Sequence, residues 1–87
     1  MASYELVFRK SVAKDLRRIP NADVARILER IRGLTNDPRP PGCEKLSGLE
    51  RYRIRQGVYR IVYEVQDRRL LVLVVKVGHR RQVYRTR

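Results

Sequence analysis

At 87 residues, 43% of them apolar, the chain is long enough for one hydrophobic core and too apolar to stay unfolded. Lys and Arg number 21 against 9 Asp and Glu, a net charge of +12, and residues 51–87 carry most of it: 11 basic and 2 acidic side chains, net +9, against 10 and 7, net +3, in residues 1–50. That skew points to a polyanion, most simply nucleic acid, or to an acidic protein; the single cysteine, Cys43, excludes an internal disulfide, and no apolar run is long enough to span a bilayer.

In chain order, YELVF (4–8) predicts a short strand. SVAKDLRRI spaces Val12, Leu16 and Ile19 by four and three, the stripe of an amphipathic helix that Pro20 closes. Asn21 is placed to cap a second helix, with Val24, Ile27, Leu28, Ile31 and Leu34 on one face. NDPRPPG (36–42) ends that helix in a stiff connection. RYRIR (51–55) and VYRIVYEV (58–65) then predict strands, and LLVLVVKV (70–77) a third that is apolar on both faces. The N-terminal stretch, broken by Ser3 and Glu5, does not read as a signal peptide. A single, soluble, cytoplasmic α+β domain over residues 1–87 is expected: two N-terminal helices on a small antiparallel sheet, in the order β-α-α-β-β-β.

The turns set which side chains meet. Gln56-Gly57 as a two-residue turn pairs Arg55 with Val58 and Arg53 with Arg60, placing two like charges opposite each other. A bare hairpin disfavours that pairing, whereas a bound phosphate offsets it through bidentate guanidinium contacts. QDRR (66–69) as the next turn pairs Val62 with Leu73 and Arg60 with Val75, which sends Val75, Val77 and His79 to the face of Arg60. Tyr59, Ile61, Tyr63 and Val65 then point to the helices. A one-residue slip in either turn undoes the arrangement. The helices cover only one face of the last strand, so the other is expected to expose an apolar groove beside the arginines.

His79 is the only histidine, and its ordinary titration range suits proton transfer; a strand-end histidine is equally at home as a satisfied polar cap. Arg53, Arg55 and Arg60 fit polyanion binding better than a merely charged face. Arg81, Arg85 and Arg87 are compatible with a solvated tail, and Arg17, Arg18, Arg26, Arg30 and Arg32 with the outer faces of helices. Glu64 suits a salt bridge better than acid–base work. No P-loop, zinc-ligand spacing or dinucleotide fingerprint is present, so no cofactor or metal is expected.

The segments KLSGL, YRIVYEV and VGHRRQVYR resemble the RelE branch of the RelE/ParE toxin superfamily, and the resemblance covers essentially the whole chain. It implies the toxin half of a type II toxin–antitoxin pair: a metal-free endoribonuclease that cuts mRNA in the ribosomal A site by attack of the RNA's own 2′-hydroxyl. It implies as partners the ribosome and mRNA and a cognate acidic antitoxin that binds by an amphipathic helix or strand, in a hetero-oligomer. On the family motifs, Arg60 and Arg80 correspond to phosphate-binding arginines and Tyr84 to a tyrosine that stacks on or orients the base. Arg53 and Arg55 stand where well-studied members often carry lysines. Arg53, Arg55, Lys45 and Arg81 form the expected RNA-binding set around a catalytic set of Arg60, Arg80, His79 and Tyr84. Three departures stand out. Arginine keeps its proton near neutral pH and is a poor general base; Ser47 stands where some members are basic; and the segment from His79 to Tyr84 is short, with no helix expected after it. Two other readings are a ParE-like poison of DNA gyrase without nuclease activity, and a degenerate nuclease that only binds RNA or ribosomes.

Overall fold

The computed structural model describes residues 3–46 and 50–83, with backbone alone for 82 and 83. Strand β1 (Glu5–Phe8) leads into helices α1 (Lys10–Arg17) and α2 (Asn21–Gly33). The strands β2 (Glu44–Lys45), β3 (Arg51–Gln56), β4 (Tyr59–Gln66) and β5 (Leu71–His79) follow, and α3 (Arg80–Val83) closes the series. Pro20, at φ −56° and ψ 142°, breaks the helical path and itself occupies the N-cap position, so Asn21 is the first helical residue and not the cap. The Pro20 carbonyl accepts the amides of Asp23 and Val24 at 2.9 and 3.0 Å.

The sheet runs β1-β5-β4-β3-β2. It is mixed and not antiparallel as expected, because β1 lies parallel to β5, with Leu6 opposite Val72. The remaining pairs are antiparallel. Helix side chains Val12, Ile27, Ile31 and Leu34 pack on Tyr52, Ile54, Ile61, Tyr63, Val65, Val72, Val74 and Val77 to form the core. The periodicity of the helices and of β4 therefore predicts the buried face correctly. The expected single strand-rich half gains two elements, the two-residue β2 and the short α3. No described helix is long and apolar enough to cross a membrane.

The end of the sheet formed by the start of β3 and the end of β4 is locked by a polar network that the sequence did not reveal. The Arg39 guanidinium donates to both carboxylate oxygens of Asp67 at 3.1 and 2.8 Å and to the Tyr52 hydroxyl at 2.8 Å. Tyr4 donates its hydroxyl proton to Asp67 at 2.8 Å, and Tyr52 donates to Glu50 at 3.1 Å. The Arg39 bond, followed by that of Tyr4, holds the Asp67 carboxyl below its ordinary titration range. Beside it, the fully buried Tyr63 donates to the Pro38 carbonyl at 2.6 Å, and burial first of all raises its phenol pKa. These bonds fasten the Pro-rich connection to the sheet and leave the opposite end, at the β3–β4 turn, as the place where the basic residues collect.

Candidate nucleic-acid interface

The β3–β4 hairpin turns on Gly57 and Val58, with Gln56 opposite Tyr59. Gly57 takes φ +62°, the left-handed conformation that glycine adopts without a Cβ penalty. The expected turn was Gln56-Gly57. The shift along the chain moves the partner of Arg60 from Arg53 to Arg55, while Arg53 faces Val62. Because the partner changes by an even number of residues, Arg53, Arg55 and Arg60 keep the common face that alternation assigns them. The like-charged pair is real, and its members are Arg55 and Arg60.

The three arginines differ in their surroundings. Arg53 is tied to Glu44, directly opposite on β2, at 3.1 Å. Arg51 faces Glu64 across β3–β4 at 3.6 Å, the salt bridge that Glu64 suggested. Arg55 is exposed. Arg60 is only 5% exposed, whereas a phosphate-binding arginine on the strand face would be expected at the surface. Its neighbour on β5 is Gly78, which contributes no side chain to that face. A buried arginine paired across the sheet with a second one makes a fixed cationic position, since arginine keeps its charge.

The β4–β5 register departs further from expectation. The chain turns through a 3₁₀ segment, Asp67–Arg69, and through Leu70 at φ +49°, so the pairs Val62–Leu73 and Arg60–Val75 do not form. Instead Arg60 lies opposite Gly78 and Val62 opposite Lys76, and a bulge follows between Val62 and Tyr63. A bulge inserts one residue and displaces the alternation by one. Val75 stays on the arginine face, against Val62 and Leu46. Val77 and His79 pass to the helix side, opposite Ile61 and Tyr59. The predicted meeting of His79 with Arg60 on one face therefore does not occur. Nor is the arginine face an open apolar groove at its centre: Leu46 packs over Val62 and Val75, which are 5% and 6% exposed.

His79 ends β5 and immediately precedes α3. Its Nδ1 accepts the backbone amide of Arg81 at 3.3 Å, and its ring meets that of Tyr59 edge-on, 6.2 Å between centroids. The ring lines a cleft of about 400 Å³ with Asp15, Arg18, Tyr59 and Lys76. Arg80 and Arg81 are exposed, and the Arg80 amide donates to the Val58 carbonyl at 2.9 Å, which fixes the start of α3 beside the hairpin turn. Arg80 is thereby brought to the same end of the sheet as Arg55 and Arg60. Lys45 is not: it pairs with Tyr52, on the helix-side face, and its Nζ bonds Glu50 at 3.3 Å. Tyr84, Arg85, Arg87 and Ser47 lie outside the described residues.

One contributing residue escaped the sequence reading. Asp15 of α1 accepts the Val77 amide at 3.1 Å and the Lys76 ammonium at 3.2 Å, where β5 has run past the end of β1. It stabilises the bulged stretch from the side that lacks a strand. The signal was present, since Asp15 stands three residues after Val12 and four before Ile19, on the apolar stripe of an otherwise basic helix. Among the described residues no three His, Cys, Asp or Glu side chains gather as a metal-binding group. What the arrangement offers chemically is fixed positive charge for a phosphodiester.

A family described as ParE toxin of type II toxin-antitoxin system, parDE, matches residues 6–84. Toxin RelE of Mycobacterium tuberculosis is 31% identical over 84 residues, covering 94% of this chain and 87% of that protein. Toxin RelG of the same organism is 29% identical over 86 residues, covering 94% of this chain and 97% of its own length. The RelE chain of the archaeal RelE–RelB complex from Pyrococcus horikoshii superposes with a TM-score of 0.78 at 28% identity, covering 90% of this chain and 96% of that one. With the family spanning nearly all the chain and RelE proteins sharing its sequence and fold, the protein is a type II toxin–antitoxin toxin of the RelE/ParE superfamily.

Proposed function

We propose that this toxin is a ribosome-dependent endoribonuclease that cuts mRNA in the A site without a metal. The observation that carries the reading is the convergence, at one end of the sheet, of the Arg55–Arg60 pair with Arg80 held beside the hairpin turn. Like charges set opposite each other disfavour a sheet by up to about 1 kcal/mol, a cost that a bound phosphate removes. In the reaction the 2′-oxygen gives up its proton and attacks the adjacent phosphorus in line. The P–O5′ bond breaks, a 2′,3′-cyclic phosphate forms, and the 5′-oxygen leaves with a proton. Arg60, Arg55 and Arg80 stabilise the negative charge that grows on the phosphoryl oxygens. Arg53 on β3, tied to Glu44, and Arg81 on α3 are the further cationic side chains assigned to the RNA. Proton transfer is assigned to Tyr84 as the remaining titratable member of the expected catalytic set, since the arginines stay charged and the His79 ring faces the helix side.

The partner that holds the toxin inactive is proposed to be an acidic antitoxin, by analogy with the archaeal RelE–RelB complex. Its negative charge complements the +12 of this chain, and the toxin acts in the cytoplasm, where ribosomes are. Inducing the toxin alone, then mapping mRNA ends by primer extension, is expected to give cuts in phase with codons on translated messages. The matched ParE family supports a second reading, a gyrase poison. Intact mRNA together with gyrase-dependent DNA breaks would replace the nuclease reading with that one.

A further inference from the structure

We propose that His79 is a positioning residue: its neutral imidazole caps the C-terminal helix through Nδ1 and so sets where Arg80 and Arg81 stand. The activity arm of this proposal rests on the nuclease reading above; the structural arm does not.

β5 gives way to α3 with no linker, so one residue turns the chain from strand to helix. The leading amides of a helix have no partner within it. Here the first two are satisfied from outside. The Arg80 amide donates to the Val58 carbonyl of the hairpin turn at 2.9 Å, and the Arg81 amide donates to His79 Nδ1 at 3.3 Å. His79 thus does the work of an N-cap serine or asparagine, accepting the amide two residues ahead. Its ring is braced by Tyr59, its direct cross-strand neighbour, through an edge contact at 81°. The bulge in β5 is what makes this possible, because it turns His79 away from the arginine face and toward Tyr59. The ring therefore reaches the phosphate-binding face only through the segment it caps.

An imidazole nitrogen that accepts a hydrogen bond carries no proton, so the capping form is the neutral tautomer with its proton on Nε2. A proton added at Nδ1 turns the acceptor into a donor that faces an amide N–H. The charged and titratable groups around the ring are Asp15 of α1 and Arg18 just after it, Tyr59 of β4, Lys76 of β5, and Arg80 and Arg81 of the capped segment. Acidification thus loosens the start of α3 and, with it, the placement of Arg80.

Asparagine, glutamine and alanine at this position separate the roles. The amide oxygen of His79→Asn falls near the place of Nδ1 and does not titrate; that of His79→Gln falls near Nε2 and misses the Arg81 amide. In ¹⁵N-labelled toxin the Arg81 amide signal should move when acid places a proton on the imidazole. That movement should vanish in His79→Asn with exchange protection kept, and protection should be lost in His79→Gln and His79→Ala. In single-turnover cleavage on programmed ribosomes, His79→Asn should stay within about twofold of the wild type and lose the acid limb, while His79→Gln and His79→Ala fall about fivefold, the scale of one lost cap. A His79→Asn protein as inactive as His79→Ala, with its Arg81 amide still protected, overturns the proposal in favour of direct participation by the imidazole. An Arg81 amide indifferent to pH and to all three changes overturns it as well. If no variant and no wild-type protein cleaves, the nuclease reading fails and the amide data alone decide the cap.

Discussion

Replacing Arg60 by methionine separates the charge of this side chain from its bulk. The residue is 5% exposed and pairs across the sheet with Arg55, so its side chain is packed within the fold on the same face as a like-charged neighbour. Methionine keeps an unbranched stem of similar reach and removes the charge. Relief of the like-charge opposition is worth up to about 1 kcal/mol, set against the loss of the contacts the guanidinium makes within the fold. The net change should stay within about 1 kcal/mol of the wild type, since buried charges exchanged for apolar groups of similar volume cost little. Alanine removes a further methylene, the thioether sulfur and its methyl, so Arg60→Ala should unfold about 2 kcal/mol or more below Arg60→Met. Cleavage should not follow stability. Loss of one preorganised cation at the scissile phosphate costs about a hundredfold or more, or about 2.7 kcal/mol of barrier, for both variants alike. Urea denaturation gives the first quantity, and single-turnover cleavage on programmed ribosomes gives the second. An Arg60→Met protein that cleaves within about threefold of the wild type would refute the assignment. One that unfolds more than about 2 kcal/mol early would show that the guanidinium is there for the fold.

Three further outcomes follow from neighbouring geometry. Arg80→Ala should lower cleavage by about a hundredfold and leave the urea midpoint unchanged, because the side chain is exposed and, among the described residues, its backbone amide alone is bonded. Tyr63→Phe should cost about 1–3 kcal/mol in urea with cleavage intact, since it strips the donor from the Pro38 carbonyl at the far end of the sheet. The Arg39–Asp67 pair sets an acid limit. The folded-state pKa of Asp67 is depressed, so its contribution is present above the unfolded value of about 3.9 and is lost as pH falls through the lower folded one. Thermal midpoints measured downward from about pH 5 should fall less steeply in Asp67→Asn than in the wild type, and equal slopes would show that the pair does not couple to folding.

Local order in the chain determined the two helices, the buried stripe of each, and the inward set Tyr59, Ile61, Tyr63 and Val65, because helix and strand periodicity act between near neighbours. It also determined that Arg53, Arg55 and Arg60 share a face, which survives any even change of partner. What it left open was decided by contacts far apart in sequence. The parallel pairing of β1 with β5 joins Leu6 to Val72 and leaves no periodic trace in either segment. The partner of Arg60 depended on whether Gly57 opens or closes the hairpin turn, and both choices place glycine where positive φ is needed. The fate of His79 depended on one inserted residue in β5. That bulge is held by Asp15 reaching from α1 to the Val77 amide, a bond across 62 residues of chain, and it exchanges a histidine among arginines for a histidine that caps a helix. Alternation carries a side chain to one face only while the ladder is unbroken, and where the ladder breaks is settled by what packs against it.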